Sequence, residues 1–245
     1  MKKVRLTREY ILRYLKEKGR FFFTVDNLAS MFHISHNYAA QVVLRLKRCG
    51  DVVEIEKGKY VISGMEEDPF VIGCFSVDPS YISFKTALYL HRLMDKYEDD
   101  EVYVATPKRK STFSFRHFIF RYITLKPYRF FGFSSVIMND RNIRVAFPEK
   151  AIIDAVEEPR YAPGFDDLIR ILFESEDKIS IPRLIKYAIK MQDKSLIARL
   201  GYLLEIAGVD LNIPEDYLPK DYIKLIPSGE RKGRWITRWK IIDNR

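Results

Sequence analysis

Apolar positions in the first sixty or so residues recur at helical spacing and then switch to strand alternation. Tyr10, Ile11, Tyr14 and Leu15 share one face of a helix over 7–18, which Thr7 caps and Gly19 ends. Phe21, Phe22 and Phe23 make a short strand-like run. Thr24 caps a second helix with Val25, Leu28, Ala29 and Phe32 inward, and His33 and Ile34 form a turn. Ser35 then caps a third helix that runs to Cys49 and stops at Gly50. Its Ala39, Val42, Val43 and Leu46 form an apolar face. Residues 51–56 and 59–62 read as two strands around Lys57 and Gly58, a two-residue hairpin turn. This order of helices, turn and hairpin is the pattern of a winged helix-turn-helix.

The polar side of the third helix carries Ser35, His36, Asn37, Tyr38, Gln41 and Arg45. A recognition helix needs such donors and acceptors near its N-terminus, where they reach base edges in the major groove. Lys57 and Lys59 at the hairpin tip are placed to meet backbone phosphate. The same pattern also serves protein contact, and charge separates the two readings. Of the net charge of +9, residues 1–64 hold +7, with seven Lys and six Arg against six Asp or Glu. The remaining +2 is spread over 65–245. A basic lobe on a near-neutral one favours double-stranded DNA as the partner of the first.

Residues 64–69, short and polar and ending in Pro69, divide a winged-helix domain (1–64) from a larger domain (70–245). In the second, strands are expected over 70–75, 101–106, 115–125, 130–138 and 142–147, with a helix over 84–96 that Ser83 caps. The stretches 165–173, 181–191 and 195–207 read as helices, Pro148 opens another, and 222–226 and 235–242 read as closing strands. The expected class is α+β, with an antiparallel or mixed sheet followed by C-terminal helices.

Little in the chain points to catalysis. Cys49 and Cys74 lack metal-ligand spacing, and His33, His36, His91 and His117 are scattered, so no metal or other cofactor is expected. Glycine-rich phosphate loops and nucleophile elbows are missing. Glu176-Asp177-Lys178 and Glu230-Arg231-Lys232 match the Glu-x-Lys spacing of metal-dependent nucleases, but both fall in turn-like stretches. Basic and aromatic residues interleave over 108–129, which reads as one buried and one exposed strand face, or, if the aromatic face is exposed, as a second contact surface for DNA, RNA or a protein. No apolar run approaches a bilayer span, and the basic residues 1–5 are followed by no apolar core of a leader, so a cytoplasmic protein without membrane contact is expected.

Four motifs in the second part resemble the AbiEi family of antitoxins. They are Tyr81-Ile82-Ser83 with Ala87, Leu88 and Leu93; the strand 102–107 with its basic turn; Glu149, Lys150 and Asp154 after Pro148; and Arg199-Leu200-Gly201 through Glu205, then Gly208. The chain departs from the family at Ala162-Pro163-Gly164, where a glycine pair is usual. The resemblance implies a winged helix that binds repeats in its own promoter. It also implies a second domain that counters a nucleotidyltransferase-like toxin without a stable complex.

Local roles explain the same motif residues. Glu149 suits a helix start, Lys150 and Asp154 an intrahelical pair, Arg199 a neighbouring carboxylate, and Gly201 close helix packing. The leading expectation is a non-enzymatic, DNA-binding autoregulator and antitoxin. A ligand-sensing regulator with its pocket in 70–245 is the first alternative, and a nuclease using Glu176 or Glu230 the second.

Overall fold

A computed structural model describes residues 6–65, 68–94, 100–138, 141–175 and 177–245. Parts of the expected linker, the end of the expected helix over 84–96, the turn at 139–140 and Glu176 lie outside the described residues.

The chain begins with α1 (Arg8–Glu17), capped by Thr7, whose Oγ1 accepts from the Tyr10 amide at 3.3 Å. β1 (Phe22–Thr24) leads into α2 (Val25–Phe32). There Thr24 and Asn27 form a reciprocal capping box of 3.1 and 3.0 Å. His33 takes the left-handed conformation that ends α2, and Ser35 caps α3 (His36–Arg48). β2 (Val52–Glu56) and β3 (Lys59–Ile62) form the expected hairpin, and β1 joins it in an antiparallel sheet ordered β1-β3-β2. Ile11, Leu15, Phe23, Leu28, Leu46, Val52 and Ile62 bury together as a small core.

The hairpin is buried on both faces. Val52 and Ile62 point into that small core, whereas Ile55 and Val61 belong to the larger core of the rest of the chain. Strand side chains alternate faces, so one hairpin serves as a wall for two cores.

After the hairpin comes a correction: 70–75 is not a strand but α4 (Pro69–Phe75). The reason is local. Asp68 caps the helix, its Oδ1 accepting from the Phe70 and Val71 amides at 2.9 and 3.1 Å, and Pro69 sits at the first position. A short buried apolar run does not by itself distinguish strand from helix, and here the cap decides. Next follow β4 (Tyr81–Ile82), α5 (Phe84–Leu90) and β5 (Glu101–Thr106). The single strand expected over 115–125 is a hairpin, β6 (Phe113–Phe115) and β7 (Phe118–Thr124), turning where Arg116 adopts a φ of 55°. β8 (Phe133–Met138) and β9 (Arg141–Ala146) complete a six-stranded sheet ordered β6-β7-β5-β4-β9-β8. Pairs β4–β9 and β5–β7 are parallel and the other three antiparallel, so the sheet is mixed.

Helices α6 (Pro148–Glu157), α7 (Phe165–Glu174), α8 (Ile181–Lys190) and α9 (Lys194–Ile206) follow. A small sheet closes the chain: β10 (Ile223–Lys224), β11 (Arg234–Ile236) and β12 (Ile241–Asp243), ordered β10-β12-β11. The strand expected over 235–242 is therefore two strands, with Lys240 left-handed between them. The fold is a mixed α+β one. Among the described residues no helix is long and apolar enough to cross a membrane.

Candidate nucleic-acid interface

The burial pattern of α3 follows from its sequence. Ala39, Val42, Val43 and Leu46 are 0–1% exposed, and the side chains half a turn away face solvent. Counted at 100° per residue, the outermost stripe is Asn37, Gln41, Leu44 and Arg48, with Tyr38 and Arg45 along one flank. The structure thus brings Asn37, Tyr38, Gln41 and Arg45 onto one open face. Leu44 and Arg48 share it and escaped the sequence reading, although the spacing from Asn37 contains them. Among the described residues Asn37, Gln41 and Arg48 have no side-chain partner, so their polar groups are free to meet a ligand. Arg45 gives one hydrogen bond, 3.3 Å, to the Leu6 carbonyl, which steadies it without cancelling its charge.

Other predicted residues have local roles. Ser35 Oγ accepts from the Tyr38 amide at 3.3 Å and defines where the helix starts. The His36 ring lies 3.4 Å from Asp26 on α2, and both are exposed. Lys47 pairs with Glu54 on the hairpin, and this ion pair together with the Gly58 amide holds the Glu54 carboxyl below its ordinary range. Arg8 similarly bonds Asp51 at 2.7 Å.

The two tip lysines part company. Lys57 is exposed in the turn. Lys59 instead lies at the junction with the second half of the chain, bonded to the Ser76 carbonyl and, at 2.8 Å, to Glu56. Glu56 also receives Lys110, the last residue of the basic turn after β5. Burial pushes the Glu56 carboxyl up, but the two ammonium groups more than offset this and hold it below its usual range. Lys59 is thus committed to an internal contact, and the sequence expectation of two free lysines at the tip is corrected to one.

Four of the motif residues, Ser83, Glu149, Lys150 and Asp154, meet at α6. Asp154 is fully buried beside Lys150, which is 0% exposed and donates to its Oδ1. Its Oδ2 accepts from the Tyr81 hydroxyl at 3.1 Å and from Ser83 Oγ at 2.7 Å. Ser83 was expected to cap α5, but its hydroxyl turns to Asp154 instead and makes no cap bond. Burial, reinforced by Asp154, pushes the Tyr81 hydroxyl well above its usual pKa, so it stays a proton donor. The Lys150 ammonium also lies 3.8 Å from Met191 Sδ and 5.0 Å from the centre of the Phe131 ring. Glu149, next along α6, accepts from the Ser180 amide at 2.8 Å and has Arg183 at 3.6 Å.

Arg199 and Gly201 stand apart from this network, on α9. Arg199 donates to the Lys224 carbonyl at 3.2 Å rather than forming the expected ion pair, and burial lowers its pKa. Gly201 admits not another helix but the Trp239 ring: an added Cβ would lie 2.1 Å from that indole. The sequence reading of helix packing is corrected there.

One open cleft of about 850 Å³ separates α2 and the start of β1 from α4 and β9. Arg20, Phe22, Met31, Phe75, Arg141 and Arg144 line it. Arg141 stacks 3.7 Å from the centre of the Phe21 ring, and Arg144 pairs with Asp78 at 3.1 Å. Among the described residues no group of three His, Cys, Asp or Glu side chains could hold a metal ion. Glu230 of the nuclease alternative is exposed and pairs with Lys232 at 2.9 Å.

No protein-family model and no curated protein matches the chain. Three chains among solved structures do. One is the RV2827C protein from Mycobacterium tuberculosis, with a TM-score of 0.61, 12% identity, and coverage of 95% of this chain and 89% of that one. At that identity the likeness is one of fold.

Proposed function

We propose that this protein is a double-stranded DNA-binding regulator whose residues 6–64 act as a winged helix-turn-helix domain. The observation that carries the reading is the open stripe of α3, where polar and basic side chains lie unpartnered within the first 64 residues, which hold +7 of the +9 charge. In this reading Asn37, Gln41 and Arg45 hydrogen-bond base edges, and Leu44 meets a thymine methyl. His36, Tyr38 and Arg48 flank them, Ser35 sets the helix start, and the amide-bearing N-terminus of α3 favours phosphate. Lys57 contacts the backbone.

The resemblance to AbiEi antitoxins extends the proposal. The DNA is then the protein's own promoter repeats, and residues 70–245 counter a nucleotidyltransferase-like toxin. Ser83, Glu149, Lys150, Asp154, Arg199 and Gly201 serve that role indirectly, by holding the fold. The cleft between α2 and β9 supports a second reading, a regulator whose DNA affinity responds to a ligand bound there.

The test is a salt-titrated mobility shift on the chain's own upstream DNA against unrelated DNA of equal length. Sequence-selective binding is expected. Gln41→Ala or Arg45→Ala should cost roughly 1–3 kcal/mol of discrimination, about 5- to 150-fold. Equal affinity for both DNAs, unchanged by either substitution, overturns the docking of α3.

A further inference from the structure

We propose that the C-terminal sheet is a second nucleic-acid site, one that takes single strands by stacking an unpaired base on Trp235. Two tryptophans lie four residues apart in opposite environments. Trp239 is 1% exposed, packs over Gly201 and donates its indole N–H to Glu205 at 2.8 Å. Trp235, on the edge strand β11, is 55% exposed. Tyr222 meets it edge to face, with ring centres 4.7 Å apart. The Tyr222 hydroxyl contacts Thr237 Oγ1 at 3.3 Å, and the Lys240 ammonium lies 5.5 Å from the tyrosine ring centre. An aromatic pair held this way offers an open π surface at small cost in side-chain ordering.

Two cations, Arg231 and Lys240, lie against Tyr222. Residues 220–240 contain seven Lys or Arg against two Asp or Glu, a local +5, although 65–245 as a whole carries only +2. Arg238 is engaged by Glu205 and Asp210, and Lys232 by Glu230. The other five have no acidic partner among the described residues. Arg231 bonds only the Tyr222 carbonyl at 3.2 Å and Lys240 faces the tyrosine ring, whereas Arg234 on β11, opposite Asp243, leaves the other face of the strand from Trp235.

The loop bearing Arg231 and Lys232 is fixed in place. Asn244 accepts from the Ile226 amide at 2.8 Å and donates to the carbonyls of Ile226 and Glu230 at 3.0 and 2.9 Å. Gly233 lets the loop pass so close to β12 that a Cβ there would sit 2.0 Å from the Asp243 carbonyl oxygen. The platform is therefore preorganised. Aromatic faces flanked by cations suit a strand whose bases are unstacked, because a duplex hides base faces and offers only edges and phosphates. Unpaired RNA and unpaired DNA share this chemistry, and the same measurement separates them.

The experiment uses the full chain, with tryptophan fluorescence and anisotropy, on RNA and DNA single strands of about twelve nucleotides and a duplex of equal length. Single strands should quench the fluorescence and bind. Trp235→Ala should weaken that binding by about 5- to 150-fold, Trp235→Phe should retain most of it, and Arg231→Ala should lower the salt slope by about 0.7. Preference for ribose or deoxyribose strands names the source and supports the site. Duplex binding to upstream DNA should be unchanged in Trp235→Ala, which separates this site from α3. The proposal is overturned if Trp235→Ala binds single strands like the parent, or if the duplex quenches as strongly and depends equally on Trp235.

Discussion

Asp154 accepts three hydrogen bonds in a fully buried setting, so replacing it leaves three donors stranded at once. In Asp154→Ala the Lys150 ammonium retains only the Met191 sulfur and aromatic faces. Breaking a buried pair on one side costs about 3–5 kcal/mol. The orphaned Tyr81 and Ser83 hydroxyls can add about 1–3 kcal/mol each unless they rotate to other acceptors. A loss of at least about 4 kcal/mol is expected for Asp154→Ala. Lys150→Met keeps the apolar stem and leaves the carboxylate with two hydroxyl donors, so about 3 kcal/mol is expected. The double variant Lys150→Met with Asp154→Leu removes both charges together, and should recover to within about 2 kcal/mol of the parent.

Urea unfolding followed by circular dichroism gives the three stabilities, and the double-mutant cycle gives the coupling. The proposed binding of upstream DNA, measured under conditions where each variant stays folded, should not change. If both single variants lose less than about 1 kcal/mol and their effects simply add, then the buried network is not what holds α6 against β4. In that case a direct functional role for Lys150 and Asp154 becomes the better account of the motif.

Gly201→Ala forces the Trp239 indole out of its seat, and should cost about 1–3 kcal/mol in urea unfolding with a shifted tryptophan emission. An unchanged emission would mean the α9 contact is looser than 2.1 Å implies. Lys57→Ala should lower the salt slope of DNA binding by about one, while Lys59→Ala should leave the slope alone and lower thermal stability; equal slopes in the two variants would refute their separation. A bonded Arg245 guanidinium, with the Tyr202 hydroxyl, holds the Asp243 carboxyl down at about 2. Its contribution to stability is therefore complete above the unfolded value of about 3.9 and lost as pH falls toward 2, so Asp243→Asn should flatten that part of the acid limb.

Where capping residues and periodicity agreed, the sequence located elements to within a residue or two. Thr7, Thr24 and Ser35 each cap the helix their position implied, and Pro148 opens α6. Where two local signals compete, periodicity alone misleads. Asp68 followed by Pro69 is a helix start, yet the apolar run behind it read as a strand. The open face of α3 was legible as a face, though Leu44 and Arg48 were missed by attending to residue type before spacing. The Asp154 network was only half legible. The i, i+4 pair shows in the sequence, but Tyr81 and Ser83 reach it from some seventy residues away, through the parallel pairing of β4 with β9. No local pattern encodes that register.

The hairpin carries the clearest consequence. Its apolar residues occupy both parities of the strands, Val52 and Ile62 on one face and Val53, Ile55 and Val61 on the other. A hairpin that packs on one side only needs apolar residues at one parity, and here both parities carry them. The structure supplies a second wall, and Glu56 ties it electrostatically by joining Lys59 on the hairpin to Lys110 beyond β5. An exposed ion pair would add little, but these three groups are largely withdrawn from solvent and share one carboxylate. Lys57 directly follows Glu56 and lies two residues before Lys59, so the tip cannot move far without disturbing either the ion network or the seat of Ile55 and Val61. The hairpin is therefore a stiff connection between the open face of α3 and the mixed sheet, and whatever shifts the sheet against α2 across the cleft must also reposition Lys57 relative to Gln41 and Arg45.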